Sequence, residues 1–131
     1  MILVDSSVWI DFFSGRAVWQ ADYLAGQIRD GANIAINGII LTEVLQGIGN
    51  DLQHRQVRDH LKPLILLPID ESMFIEAADI YRRLRKQGKT IRKTNDCIIA
   101  ATAIGHEAAL LHNDRDFARI AETEALNTIQ P

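Results

Sequence analysis

Short, continuous apolar runs alternate with longer amphipathic segments along the whole chain. The first run, Ile2-Leu3-Val4, is uninterrupted by polar residues, which is typical of a strand buried on both faces. Runs of the same kind predict strands at residues 2–4, 34–36, 64–67 and 109–111, with a candidate edge strand at 127–129.

Helical periodicity and capping signals fill the intervals between these strands. The predicted helices cover about residues 6–15, 17–30, 38–49, 51–61, 71–87 and 94–104, with a short helix from 117 onward. Their predicted N-caps are Ser6 or Ser7, Asn37, Asp70 and Asp116. The longest helix carries an apolar stripe of Phe74, Ala77, Ala78, Tyr81 and Leu84. Short strands alternating with helices predict a single α/β domain with a parallel sheet over residues 1–131.

Composition narrows the cellular setting. The chain has 131 residues, of which 47% are apolar and 24% charged, both close to the globular average. Its one cysteine, Cys97, cannot form an intrachain disulfide, which favours a reducing compartment. An acid at position 5 ends the first apolar run, so no signal peptide is expected, and no run approaches the ~18 residues of a membrane helix. A cytoplasmic protein with no membrane contact is therefore expected.

The basic residues are unevenly distributed, although the net charge is −3. Seven of the 14 lie in one stretch without an acid: Arg82, Arg83, Arg85, Lys86, Lys89, Arg92 and Lys93. Cations at a helix end complement the helix dipole, and a cationic stretch also contacts nucleic-acid phosphates. Both interpretations are compatible with the sequence.

Two acids follow predicted strands. Asp5 comes directly after the first strand, and Asp114 lies three residues beyond Leu111. In open α/β sheets, sites form outside the carboxyl ends of the strands, so these two acids are expected to share one rim of the sheet.

Two further acids lie on the apolar stripes of their helices. Glu43 and Asp96 occupy positions where a bare carboxylate is costly unless it is paired or binds a metal. A salt bridge would also explain Glu43, and complementation of a helix dipole would also explain Asp96. Gathering four carboxylates would raise their pKa values and destabilise the fold, a cost that a divalent cation offsets. Hard oxygen ligands favour Mg²⁺ or Mn²⁺ over zinc.

Four segments resemble, in order, the motifs of PIN domains, and most closely those of the VapC toxins of bacterial toxin–antitoxin pairs. They are residues 1–10 (MILVDSSVWI), 41–47 (LTEVLQG), 90–101 (TIRKTNDCIIAA) and 110–117 (LLHNDRDF). The resemblance spans essentially the whole chain. It implies a three-layer α/β/α fold around a short parallel sheet. It also implies a Mg²⁺-dependent endoribonuclease (with Mn²⁺ as an alternative ion), usually a homodimer, that acts on RNA and is silenced by a cognate VapB-type antitoxin.

The resemblance also assigns the site. Carried over by position, the catalytic and metal-binding quartet is Asp5, Glu43, Asp96 and Asp114. Asp116 is a further candidate acid, because some relatives lack an acid at the position of Asp114. Asp114 is preferred, since it lies nearer the strand end and Asp116 is a plausible N-cap. His112 departs from the pattern, because many relatives have Thr or Ser there, and this leaves the hydrogen bonding of the fourth acid open.

The expected reaction is metal-assisted hydrolysis of an RNA phosphodiester. Asp5 and Asp96 would be the main ligands of a first metal. Glu43 and Asp114 would hold a second metal or orient the attacking water. A catalytically inactive PIN-like module that binds RNA or protein is the alternative function, and it is disfavoured because all four acids are present.

Supporting residues follow from the neighbourhood of the quartet. Ser6 or Ser7 would orient a water in the site, although helix capping explains a serine there equally well. Arg92 and Lys93, together with Lys89, are expected to guide the RNA backbone toward Asp96. The aromatic residues near the N-terminus are expected to pack in the core, and any left exposed would form a docking groove for an antitoxin helix. These residues are Trp9, Phe12, Phe13 and Trp19.

Overall fold

The strands and helices alternate as the hydrophobic pattern predicts. A computed structural model describes all 131 residues. Its strands are β1 (Ile2–Val4), β2 (Ile34–Ile36), β3 (Ile65–Leu66) and β4 (Ala109–Leu111). Its helices are α1 (Ser6–Phe13), α2 (Trp19–Arg29), α3 (Gly38–Gln46), α4 (Asp51–Leu61), α5 (Glu71–Lys86), α6 (Thr94–Gly105) and α7 (Arg115–Ala121). The predicted α/β class is confirmed. None of the helices combines the length and apolar character needed to cross a bilayer.

All strand pairs in the sheet are parallel, and the strand order is β3-β2-β1-β4. β1 is central, with Leu3 paired to Ala35 on one side and to Leu110 on the other. The candidate edge strand reduces to a single bridge between Thr128 and Leu110. Because the strands are parallel, the segments that follow β1, β2 and β4 emerge at one edge of the sheet, where the candidate acids lie.

A continuous core of 29 buried residues joins the sheet to the helices. The long helix α5 buries Met73, Ala77, Ile80 and Leu84. The predicted stripe was therefore wrong at Phe74, which is 47% exposed, and at Ala78, which is also exposed. The buried line begins one residue earlier, since Met73 lies against α6, where a Cβ added to Gly105 would come within 2.8 Å of its Cε.

Two predicted N-caps are wrong, and both corrections involve candidate acids. Asp5, rather than Ser6 or Ser7, caps α1, and its Oδ2 accepts the Ser7 N–H at 3.0 Å. Asp114, rather than Asp116, caps α7, and its Oδ1 accepts the Asp116 N–H at 2.9 Å. A carboxylate at the cap position accepts a backbone N–H that the helix leaves unpaired. Asp5 and Asp114 are therefore held at the carboxyl edge of the sheet by the helices that they begin.

Candidate active site

The acids converge at the carboxyl edge of β1 and β4. One carboxylate oxygen from each of Asp96, Asp114 and Asp116 lies within 4.8 Å of the other two. Asp5 is next to this group, since the Ser7 hydroxyl links its carboxylate to the N–H of Asn113, the residue before Asp114. From there its negative charge contributes to raising the pKa of Asp96. Asp5 and Asp96 are each only 4% exposed. Asp5 and Asp96, which are 91 positions apart in the sequence, thus meet in one buried cluster.

Asp96 is the least compensated acid of the cluster. Its Oδ2 is buried and has no hydrogen-bond partner. Burial, together with the negative charges of Asp5 and Asp114, raises its pKa from 3.8 to about 7. A buried, unpartnered oxygen among further carboxylates is costly. An all-oxygen set of this kind fits a hard divalent cation, whose charge would offset that cost.

Asp5 is held by the serine two residues later. The Ser7 hydroxyl donates to Asp5 Oδ2 at 2.6 Å, and the same hydroxyl accepts the Asn113 N–H at 3.1 Å. Burial raises the pKa of Asp5, and the hydrogen bonds from Ser7 oppose that rise. Ser7 thus fixes one carboxylate oxygen of Asp5 and ties it to the loop after β4.

Glu43 lies at the half-buried edge of the α3 stripe, on the side of Asp5. The Ser6 hydroxyl donates to Glu43 Oε1 at 3.2 Å. Burial and the charge of Asp5 raise the pKa of Glu43, whereas Ser6, Asn95 and Lys93 oppose the rise. Glu43 is therefore a neighbour of the cluster rather than a member of the group formed by Asp96, Asp114 and Asp116. Its hydrogen bond from Ser6 replaces the salt bridge considered from sequence.

Asp116 is fully buried, and arginines accompany both of its oxygens. Arg92 contacts Asp116 Oδ2 through Nε at 3.3 Å and through its backbone N–H at 3.5 Å. Arg119 Nη1 lies 3.6 Å from Asp116 Oδ1. Arg92 also approaches Asp114, with Nη2 3.7 Å from Oδ1. Asp116 is therefore not a helix cap. Its Oδ1 has no hydrogen-bond partner, but the two arginines compensate its charge through ion pairs.

His112 supports the backbone of Asp114. Its Nδ1 accepts the Asp114 N–H at 3.2 Å, and its carbonyl accepts a hydrogen bond from Gln20 Nε2 at 3.3 Å. Burial lowers the pKa of His112, which keeps the imidazole neutral at pH 7 with the proton on Nε2. The ring acceptor thus contributes to ordering Asp114 in the place where a hydroxyl was expected.

Most of the basic stretch is engaged in ion pairs. Lys89 Nζ lies 2.7 Å from Glu122, and Arg83 Nη2 lies 2.7 Å from Glu124. Lys93 is exposed and in no ion pair, and its charge acts on both Glu43 and Asp96. Of the three expected RNA-binding cations, Lys93 is therefore the one that both lies near the acids and is available to a ligand.

Three contributing residues were not identified from sequence. Asn95 acts on Glu43, Asn113 bonds to Ser7, and Arg119 pairs with Asp116. The two asparagines directly precede Asp96 and Asp114, so adjacency to a candidate acid was the available signal. No local pattern marks Arg119, because its role depends on how α7 packs.

Together, the parallel α/β fold and the buried carboxylates define an α/β domain with a cluster of acids at the carboxyl edge of its sheet. Comparison with known proteins assigns its family. Residues 2–123 match the PIN domain. VapC ribonuclease Mb1587 of Mycobacterium bovis is 37% identical over 130 residues, covering 95% of this chain and 97% of the relative. Ribonuclease VapC1 of Methanocaldococcus jannaschii is 37% identical over 123 residues, covering 92% and 82%.

Solved structures agree on the fold. VapBC2 from Rickettsia felis, bound to a DNA fragment from its promoter, superposes with a TM-score of 0.78 at 21% identity, covering 98% of both chains. FitAcB from Neisseria gonorrhoeae superposes with a TM-score of 0.77 at 22% identity, covering 99% and 97%. The chain belongs to the PIN domain family, in its VapC ribonuclease branch.

Proposed function

We propose that this chain is the toxin of a toxin–antitoxin pair, an endoribonuclease that uses a divalent cation to hydrolyse RNA phosphodiester bonds. The observation that carries the proposal is the buried, unpartnered Oδ2 of Asp96 among the carboxylates of Asp5 and Asp114. Kinship with VapC ribonucleases supports RNA as the substrate. The donor set of carboxylate oxygens favours Mg²⁺, with Mn²⁺ as a substitute.

The acids divide into three roles in the proposed reaction. Asp5, Asp96 and Asp114 would hold the cation through deprotonated oxygens. The cation, when bound, lowers the pKa of water and offsets charge on the phosphate. Glu43 lies beside Asp5 with a raised pKa, which suits it to orient the attacking water and accept its proton. Asp116 acts through Arg92, which it holds at the rim of the cluster.

The serines and basic residues support this chemistry. Ser7 fixes Asp5, and Ser6 fixes Glu43. Lys93 attracts the RNA backbone toward the acids, with Arg92 next to it. Lys89 is left without a direct role in RNA binding, since Glu122 neutralises it.

The test is RNA cleavage by the purified protein with Mg²⁺, with Mn²⁺ and with EDTA, using the Asp5→Asn variant as the matched control. Asparagine is as good an N-cap as aspartate, so the variant keeps the start of α1 and loses only the charge. We expect cleavage with either ion and none in EDTA or in the variant. Full activity in EDTA would contradict the cation's role. An intact protein that binds RNA but never cuts it would favour the inactive binding module.

A VapB-type antitoxin is the proposed partner. Structural neighbours include VapBC-1 from nontypeable Haemophilus influenzae and a toxin–antitoxin complex from Klebsiella pneumoniae. A groove of about 490 Å³ lies at the amino ends of β2 and β3, away from the acids, and Phe12, Phe13, Ile34 and Ile65 contribute to its lining. An amphipathic antitoxin helix fits such a surface.

The groove gives the partner proposal its own test. Phe13→Glu should weaken binding of the co-expressed antitoxin while leaving RNA cleavage by the isolated toxin intact. Unchanged antitoxin binding would exclude the groove. The homodimer and the cytoplasmic setting remain predictions, which sedimentation of the purified chain and cell fractionation would check.

A further inference from the structure

A second cavity adjoins the acid cluster on the side of Asp114. Its volume is about 290 Å³, and its lining includes Trp19, Gln20, His112, Asn113, Asp114 and Arg115. This volume is at the lower limit of the roughly 300–1,000 Å³ typical of small-molecule sites. It therefore accommodates a single planar ring system rather than a length of peptide or helix.

The polar lining of the cavity matches the edge of a nucleobase. Gln20 is buried, and its Nε2 donates to the His112 carbonyl at 3.3 Å. That bond leaves the Gln20 Oε1 and the second amide hydrogen without a protein partner. A carboxamide offers one acceptor and one donor side by side, which is the pairing that reads exposed base edges. Because Gln20 lines the cavity, these free groups are available to a ligand that enters it.

The aromatic and cationic parts of the lining suit the rest of a nucleotide. Trp19 is half-buried, so its indole keeps an accessible part on which a base can stack. Arg115 is exposed and makes no ion pair, in contrast to Arg83, Lys89 and Arg92. An unpaired guanidinium next to a stacking surface is suited to a backbone phosphate.

We propose that this cavity is a subsite for one unstacked base of single-stranded RNA, adjacent to the scissile phosphate. Asp114 belongs to both the cavity and the acid cluster, so a nucleotide seated on Trp19 lies beside the phosphate that the acids would act on. The Gln20 carboxamide reads the edge of the base, and Arg115 binds its phosphate. The proposal rests on the proposed ribonuclease function and adds to it a residue set that selects the sequence to be cut.

The first experiment measures binding without cleavage. Fluorescence anisotropy of a labelled single-stranded RNA decamer in EDTA is compared for the wild type, Trp19→Ala, Trp19→Phe and Arg115→Gln. Stacking is worth about a tenfold change in affinity per base. We expect Trp19→Ala and Arg115→Gln each to lose about tenfold, and Trp19→Phe to stay close to the wild type. The matched controls are Phe74→Ala, an exposed aromatic on α5, and Arg55→Gln, an exposed arginine on α4.

The second experiment separates the subsite from the chemistry. Cleavage of an RNA library is compared with cleavage of bis(p-nitrophenyl) phosphate, which has a phosphodiester and no base. Trp19→Ala should change the base preference at one position beside the cut, while its rate on the small phosphodiester stays unchanged. If the wild type cleaves neither substrate, the ribonuclease proposal fails, while the anisotropy result still decides the subsite.

Two results would overturn the subsite. The first is equal RNA affinity and equal base preference for the wild type and for Trp19→Ala, Trp19→Phe and Arg115→Gln. The second is unchanged RNA affinity with weakened antitoxin binding, which would assign the cavity to the protein partner. Because Trp19→Phe and Arg115→Gln preserve a ring or a polar side chain, misfolding of Trp19→Ala would not remove the test.

Discussion

Asp96 and Asp116 are equivalent in placement and opposite in environment. Each lies in the first turn of its helix, at the carboxyl edge of the sheet, with 4% and 0% of its surface exposed. One buried oxygen of each acid, Oδ2 of Asp96 and Oδ1 of Asp116, has no hydrogen-bond partner. Arg92 and Arg119 nevertheless form ion pairs with Asp116, whereas Asp96 has no ion-pair partner. The protein therefore places positive charges against Asp116 and forms no ion pair with Asp96.

The difference separates a structural acid from a ligand-binding one. Burial and acidity are common to both residues, so neither property alone identifies the site. What distinguishes Asp96 is the lack of an ion-pair partner, and burial together with the charges of Asp5 and Asp114 raises its pKa to about 7. Such a cost is retained in a fold when a ligand that binds the acid requires it.

The largest expected effect is on catalysis. Asp96→Asn removes a proposed cation ligand and should reduce the rate of RNA cleavage by about 10³-fold or more. Asp116→Asn should cost only about 10–100-fold, because it acts through the position of Arg92. Single-turnover cleavage assays of both variants at saturating Mg²⁺ check this. Equal losses would mean that both acids hold the cation.

The same two variants should change stability in opposite directions. In the metal-free protein, Asp96→Asn removes an uncompensated charge and should stabilise the fold by about 2 kcal/mol. Asp116→Asn leaves two arginines facing a neutral amide and should destabilise it by a similar amount, about 2 kcal/mol, since those arginines are partly exposed. Urea unfolding in EDTA measures both changes. A destabilising Asp96→Asn would show that Asp96 is compensated after all.

The pH dependence of stability tests whether the charge of Asp96 is the source of this destabilisation. The pKa of Asp96 is higher in the folded chain than its ordinary value of 3.8, so its ionisation costs stability. The cost is absent below about pH 4, grows through the range up to pH 7 and is complete above it. The stabilisation by Asp96→Asn in EDTA should therefore be larger at pH 8 than at pH 5. A difference that is equal at both values would assign the stabilisation to packing.

The smallest expected effect concerns the cations. Lys93→Gln should weaken RNA binding several-fold and reduce the slope of log affinity against log salt by about 1. Lys89→Gln, which removes a lysine already paired with Glu122, is the matched control and should leave the slope unchanged. Salt titrations of RNA affinity in EDTA distinguish the two. Equal slopes for both variants would return Lys93 to the role of an ordinary solvated side chain.

Local patterns predicted the features that depend on local structure. The four strands of the sheet, the caps at Asn37 and Asp70 and the strand-end position of Asp5 follow from short-range chemistry, and the structure confirms them. The burial expected of the third strand was wrong, because both residues of β3 are exposed. The position of Asp96 on a core-facing stripe was also correct, since it is buried. These features can be predicted from the hydrophobic periodicity of each segment and from the parallel arrangement of the strands.

Features that depend on packing between distant elements were not predicted. The basic stretch looked uniform in sequence, but the approach of residues 115–124 neutralises Arg83, Lys89 and Arg92. Asp116, which sequence analysis considered as a helix cap, is fully buried. Long-range ion pairs have no sequence signal in a single chain, so the roles of these residues required coordinates.

The most direct test of Asp96 as the centre of a cation site is a titration of Mn²⁺ into the wild type, Asp96→Asn and Asp116→Asn. Electron paramagnetic resonance measures the free ion at each step. We expect the wild type and Asp116→Asn to bind Mn²⁺ and Asp96→Asn not to bind it within the same concentration range. Binding by the wild type should strengthen from pH 6 to pH 8, as Asp96 loses its proton. Equal Mn²⁺ binding by the wild type and Asp96→Asn would contradict the claim that Asp96 is the centre of a cation site.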